Sequence, residues 1–337
     1  MGYFLKKNNL LPYLEFLQKE KNLNVIVPVL NRNSASCFEE LSDANAKNIF
    51  LDSRTWFSPK KFFLPNRERE FLFEKKASSL EIHETIKHSQ KVIFGMRSCD
   101  LHALNVLDKL FLDFYGYDLL YRNKRHTTLT IGIDCKKESE NCFCESMQTD
   151  KPDFFDLFFW EKKDGYFIEI GSERWEELYC KKFFEETRET KNKSAEKCKT
   201  RLNTKELEKI FEKNFEHKIW ESESERCLSC SACTQVCPTC YCFTIKDFFL
   251  LDGKNSERYR EWDSCQLQQF TKVHGGIFRQ SRKSRLRQFV MHKLSYYKQE
   301  HNLHLCVGCG RCISVCPVQI SLVQIAKEIQ KNPLEGK

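Results

Sequence analysis

Two cysteine strings carry the clearest chemistry in this 337-residue chain. CLSCSACTQVCP runs from Cys227 to Pro238 and CVGCGRCISVCP from Cys306 to Pro317, both with the spacing C-x2-C-x2-C-x3-C-P. A tight loop of that spacing brings three thiolates to three irons of a [4Fe–4S] cube, and the fourth cysteine ligates the cube of the other loop. The expected ligand sets are Cys227, Cys230 and Cys233 with Cys316, and Cys306, Cys309 and Cys312 with Cys237. The alternative is two zinc sites, but zinc calls for close ligand pairs rather than triplets at two-residue intervals.

Ten of the eighteen cysteines lie outside this pattern. Cys99 follows Arg97 at the start of an expected helix, where the helix dipole and the guanidinium would favour its thiolate. Cys135 ends a neighbouring strand, and Cys142 and Cys144 lie in the loop after it. Tips of adjacent parallel strands meet on one edge of a sheet, so Cys99, Cys135, Cys142 and Cys144 can converge on a third [4Fe–4S] cluster. The alternatives are reduced cysteines packed as small hydrophobes, and zinc. Cys240, Cys242 and Cys265 are one short of a cube, which points to packing or hydrogen bonding around the clusters. Cys37, Cys180 and Cys198 stand alone and receive no role.

The elements that must position these residues form an α+β chain. Leu10–Lys19 has helical apolar spacing, and Asn24–Leu30 is a β-branched run whose proline suits an edge or a strand end. Lys91–Gly95, a turn, and Leu101–Leu112 make a strand–turn–helix unit that Ser98 or Asp100 can cap, and Thr127–Asp134 repeats the strand. The expectation is a partly parallel sheet with crossover helices, closed by a hairpin around Asp164-Gly165. Residues 1–185 are thus expected as a mixed α/β domain, 186–225 as a helical connector, and 226–330 as an all-helical dicluster ferredoxin domain, because Thr239–Leu305 reads as helical.

Composition limits the function classes. With 41% hydrophobic and 30% charged residues and no apolar run near the ~18 residues of a membrane span, a soluble cytoplasmic protein is expected. Its start, MGYFLKK, lacks the apolar core of a signal peptide, and reduced thiols fit that compartment. The net charge is +8, and Arg279–Lys298 holds seven Lys and Arg with no acid. Such a segment can dock an acidic partner or bind nucleic acid, although no nucleic-acid fold motif accompanies it. No G-x-G-x-x-G, Walker A or H-E-x-x-H string is present, so no nucleotide site or metallohydrolase is announced. An enzyme with Cys99 as nucleophile, or with flavin in the α/β domain, is a further alternative that lacks an identifiable basic partner.

From about residue 91 onward the chain resembles the family of dicluster [4Fe–4S] proteins that contains the electron-carrying component of anaerobic sulfite reductase and the β subunit of cytoplasmic hydrogenase (sulfhydrogenase) complexes. The resemblance rests on FGMRSCDLHAL (94–104), IGIDC (131–135), NCFCESM (141–147), both ferredoxin strings, CPTCYCF (237–243), REWDSC (260–265) and HGG with FR (274–279). It implies an electron-carrying subunit without catalytic residues of its own. Such a subunit takes electrons from a flavin subunit that oxidises NAD(P)H and passes them to a catalytic subunit, which carries sirohaem in sulfite reductase and nickel and iron in the hydrogenase. CFCESMQTDKPD is similar to the sulfite reductase member of the family and YFIEIG to the hydrogenase β subunit. Sulfite reductase is the expected partner and hydrogenase the alternative, with no membrane and no nucleic acid.

Overall fold

The computed structural model describes residues 2–31, 35–86, 89–114, 116–136, 139–188, 190–191 and 198–334. In chain order the first part comprises β1 (Gly2–Lys6), α1 (Leu10–Lys19), β2 (Asn24–Leu30), β3 (Ser36–Glu40), β4 (Arg67–Lys75), β5 (Leu80–Glu84), β6 (Lys91–Met96), α2 (Ser98–Asp108), α3 (Leu119–His126), β7 (Thr128–Ile133), β8 (Leu157–Glu161), β9 (Gly165–Ile170) and β10 (Glu185–Thr187). Eight of these strands make one sheet in the order β10-β1-β9-β8-β7-β6-β2-β3, parallel from β2 through β8 and antiparallel elsewhere. Strands buried on both faces need apolar residues throughout, as NVIVPVL and KVIFGM provide. One face packs on α1 through Tyr13, Leu14 and Leu17, the other on α2 and Tyr121 of α3.

Two local expectations change. Pro28 lies inside the sheet, yet β2 pairs with β6 only over Asn24–Ile26, so the proline sits beyond that ladder and no bond is lost. The β8–β9 hairpin does not close the sheet, because β1 and β10 extend it past β9. Of the stretch 186–225, residues 189 and 192–197 fall outside the described residues; β10 reaches into its start, while α4 (Leu207–Lys213) and α5 (Ile219–Arg226) occupy its second half.

The expectation of an all-helical C-terminal region is wrong. Between the cysteine strings lie β11 (Phe243–Phe249), β12 (Asn255–Trp262), β13 (Lys272–Val273) and β14 (Gly276–Ile277), beside α6 (Ala232–Gln235), α7 (Arg282–Met291), α8 (Tyr297–His301), α9 (Arg311–Val315) and α10 (Leu322–Lys331). β11 and β12 join β4 and β5 in a four-stranded antiparallel sheet, β11-β12-β4-β5. The signals were Asp252-Gly253 at the turn, where Gly253 takes φ +67°, and the aromatic-rich FTIKDFF before it. The sheet is stitched to α3 by Arg260, which is buried and pairs with Glu68 at 2.9 Å and with Asp118, the N-cap of α3.

The second cysteine loop is locked to the first part of the chain. Arg311 and Asp100 form a two-pronged pair at 2.7 and 3.1 Å, with both side chains 1% exposed. Arg311 Nε also donates to the Thr55 carbonyl at 2.8 Å, and Arg54 donates to Ser314 Oγ at 2.9 Å. The loop 141–149 lies across the cysteine loop, with the Phe143 amide donating to the Gly308 carbonyl at 2.8 Å and Thr149 Oγ1 to the Val307 carbonyl at 2.7 Å. Positive φ recurs at matching positions of the two cysteine loops, at Ser229 and Ser231 and at Gly308 and Gly310. Serine tolerates the conformation in the first loop, so the glycines of the second answer a further demand. A Cβ on Gly308 would stand 2.7 Å from the Cys144 backbone, and one on Gly310 would stand 2.2 Å from the Asn141 carbonyl oxygen.

These contacts give two expected outcomes. Asp100→Ala strands a buried guanidinium and costs about 3–5 kcal/mol in anaerobic chemical denaturation, whereas Asp100→Leu combined with Arg311→Met recovers most of that loss. Gly310→Ala loses about 1–2 kcal/mol from the backbone alone, plus the clash with Asn141. Ser231→Gly, with no such neighbour to clear, stays within about 0.5 kcal/mol of the wild type in the same assay.

Candidate iron–sulfur centres

The structure arranges twelve of the cysteines around three cavities. Cys227, Cys230, Cys233 and Cys316 line the first, with Cys312 at its inner wall. Cys306, Cys309, Cys312 and Cys237 line the second. Each string thus lends its last cysteine to the lining of the other string's cavity. Short helices α6 and α9 follow the two loops and pack on one another. The loops aim backbone amides at sulfur: Ser229 N donates to Cys227 Sγ at 3.5 Å, Gly308 N to Cys306 Sγ at 3.4 Å, and Ile320 N to Cys316 Sγ at 3.3 Å. Such bonds stabilise negative charge on a ligating sulfur.

Cys99, Cys135, Cys142 and Cys144 line the third cavity, where Cys309 reappears. The strand tips do meet on one edge, since β6 and β7 are adjacent and parallel and lead to Cys99 and Cys135. Cys142 Sγ lies 3.5 Å from the Cys309 carbonyl oxygen, so the third cavity abuts the second. The expectation that Arg97 activates Cys99 fails. Arg97 spends its guanidinium on the carbonyls of Asp134, Leu51 and Ser53. Burial and the Asp100 carboxylate push the Cys99 thiol well up, against the pull of Arg311. Burial likewise raises Cys142, and raises Cys306 to about 12. Thiols held so high make poor free nucleophiles and become thiolates when a metal centre supplies the positive charge.

The other cysteines separate. Cys198 is buried with its sulfur 3.6 Å from Cys144 Sγ, a neighbour that its isolated place in the sequence gave no means to find. Cys265 hydrogen-bonds Cys242 and lowers its pKa to about 7. Cys37 bonds the Glu39 carboxylate at 3.3 Å, and Cys180 packs against the core of the large sheet. The segment Arg279–Lys298 is not an exposed basic face. Arg285 is buried and donates to the Gln266 and Gln280 carbonyls, Arg282 donates to the Cys227 carbonyl, and Lys293 is buried. Arg287 and Lys283 pair with Glu216 and Glu221 at 2.9 Å each. Its charge was legible in the sequence, but the acids that meet it lie some sixty to seventy residues earlier.

The donor sets fit a cube better than zinc. Four thiolates at about 2.3 Å from one zinc stand under about 4 Å apart. Among the described residues no three cysteine sulfurs lie within 4.8 Å of one another; the compact group is Glu74, Glu81 and His83 on the exposed β4–β5 hairpin. An all-sulfur set spread around a cavity is the arrangement an iron–sulfur cube requires.

Comparison with known proteins agrees with this geometry. A family model described as a 4Fe-4S dicluster domain matches residues 226–320. The chain is 33% identical over 331 residues to the protein named Sulfhydrogenase 2 subunit beta of Pyrococcus furiosus, a match covering 94% of this chain and 96% of that one. No solved structure matches. With crossed cysteine loops, a matching dicluster domain and a relative similar along nearly its whole length, the chain belongs to the hydrogenase (sulfhydrogenase) beta-subunit family of dicluster [4Fe–4S] proteins.

Proposed function

We propose that the chain is the iron–sulfur electron-transfer subunit of a sulfhydrogenase-type complex and holds three [4Fe–4S] clusters in a row. In order, the ligands are Cys99, Cys135, Cys142 and Cys144; then Cys306, Cys309, Cys312 and Cys237; then Cys227, Cys230, Cys233 and Cys316. The observation that carries this reading is the sharing of walls: Cys309 lines the third and second cavities, and Cys312 lines the second and first. Bound in these cavities, a [4Fe–4S] cluster supplies one-electron storage and transfer. The chain's own residues fix the spacing of the stations, line the middle one with Phe143, Phe289, Val307 and Leu322, and bring one end to the surface, where Cys230 is exposed and Leu228 is 59% exposed.

The reading divides the chain at about residues 185 and 226, with the third cluster held by the N-terminal part and the other two by the C-terminal part. The partners are a flavin subunit that oxidises NAD(P)H and a catalytic subunit carrying nickel and iron, as the name of the Pyrococcus relative favours. A sirohaem catalytic partner is the second reading, favoured by CFCESMQTDKPD in the loop that carries Cys142 and Cys144. No helix among the described residues is long and apolar enough to cross a membrane. The internal pairing of Arg279–Lys298 removes the motive for a nucleic-acid partner.

Anaerobically purified chain is expected to hold about twelve iron and twelve acid-labile sulfide, four of each per cluster. Cys142→Ser combined with Cys144→Ser is expected to lower both to about eight. Zinc without sulfide contradicts the reading, and eight iron in the wild type removes the third cluster. Nickel in the complex purified from its source supports the hydrogenase partner, and sirohaem absorbance supports the other.

A further inference from the structure

Two lysines, distant in sequence, are buried around the loop that follows the first cysteine string. Lys293, in the turn after α7, is 3% exposed, and Lys60, before β4, is 5% exposed. A buried ammonium is costly unless an anion answers it. Lys293 Nζ donates to Thr239 Oγ1 at 2.9 Å, and that hydroxyl lies 3.4 Å from Cys237 Sγ. Lys60 Nζ donates to the Cys240 carbonyl at 2.9 Å and lies 3.9 Å above the Trp262 ring. Among the described residues neither forms an ion pair with a carboxylate. The sulfur that Lys293 approaches through the Thr239 hydroxyl is that of Cys237, a ligand in the cluster assignment above.

The placement is asymmetric. Lys293 lines the second cavity beside Cys237, Cys306, Cys309 and Cys312, whereas no charged side chain lines the first. The first set has cations nearby as well, Arg282 on the Cys227 carbonyl at 3.1 Å and the buried Arg285 on Ser229 Oγ at 3.4 Å, so the difference is that a charged side chain lines only the second cavity. The net charge around a cluster is one of the terms that set its reduction potential. Reduction adds one negative charge, and a fixed buried cation a few ångström away stabilises the reduced form more than the oxidised one.

We propose that Lys293, seconded by Lys60, is the built-in counter-ion of the second cluster and raises that cluster's reduction potential above the value it would have without the two charges. Both lysines are positioning residues: they ligate nothing and act through the charge they hold beside Cys237. The inference rests on the cluster assignment proposed above, and iron and sulfide assays on the wild type test that assignment separately before any potential is read.

The test is an EPR-monitored redox titration of the full chain, purified anaerobically, as wild type, Lys293→Met, Lys293→Arg and Lys60→Met. With iron content unchanged, Lys293→Met is expected to shift one midpoint to a more negative value. At the potential where that cluster is half reduced in the wild type, its reduced-to-oxidised ratio falls about tenfold. The other midpoints stay in place, Lys293→Arg restores the wild-type value, and Lys60→Met moves the same midpoint in the same direction by less. Full iron and sulfide with every midpoint unmoved in Lys293→Met overturns the proposal, as does an equal shift of all clusters. Should Lys293→Met fail to keep its iron, Lys60→Met decides: the same single shift supports the proposal, and an unmoved midpoint overturns it.

Discussion

Beneath the second cysteine loop the guanidinium of Arg311 meets the carboxylate of Asp100, with both side chains removed from water. The two residues sit directly beside chemistry, since Arg311 precedes Cys312 and Asp100 follows Cys99. Removing either partner alone would leave a charge where no solvent reaches it, so the pair fixes the distance between two parts of the chain that are 211 residues apart. Each of those parts carries its own cysteines.

From that fixed point the remaining contacts follow. With α2 held against the loop, Cys99 and Ala103 pack on Val307 and Cys309, and the strand tips of β6 and β7 face the second cavity. Loop 141–149 then has to cross the cysteine loop at backbone distance, which only glycine at 308 and 310 permits. The same closeness lets Cys309 serve as a wall of two cavities. A freestanding dicluster unit would need none of this. The large sheet, which a bare electron relay does not need either, supplies the rigid edge on which Cys99 and Cys135 are mounted.

The grouping of cysteines around the first two cavities was legible because spacing within one loop is a local property, and the exchange of the fourth cysteine between cavities accompanies the repeat of the loop. The sheet edge bearing Cys99 and Cys135 was legible from two apolar strand patterns that each end at a cysteine. The strands β11 and β12 were not foreseen: Phe243–Trp262 holds many charged residues that are compatible with a helix, and its cross-strand pairs, such as Arg258 with Asp247 at 2.7 Å, exist only once the hairpin forms. The partners β4 and β5 come from far earlier in the chain, which no local pattern records. For the same reason the buried lysines, Cys198 and the pairing of Arg279–Lys298 stayed hidden. Each depends on which distant residue arrives beside it, and a charge run by itself does not say whether it faces water or a carbonyl.

The three proposed clusters would stand in a row, because neighbouring cavities share Cys309 and Cys312 as walls. The most direct test of this arrangement is EPR spectroscopy of the chain reduced in steps to completion. Neighbouring reduced clusters interact magnetically, so the spectrum at full reduction is predicted to broaden and split beyond the sum of the signals seen at partial reduction. A fully reduced spectrum that is the simple sum of independent cluster signals would contradict the arrangement.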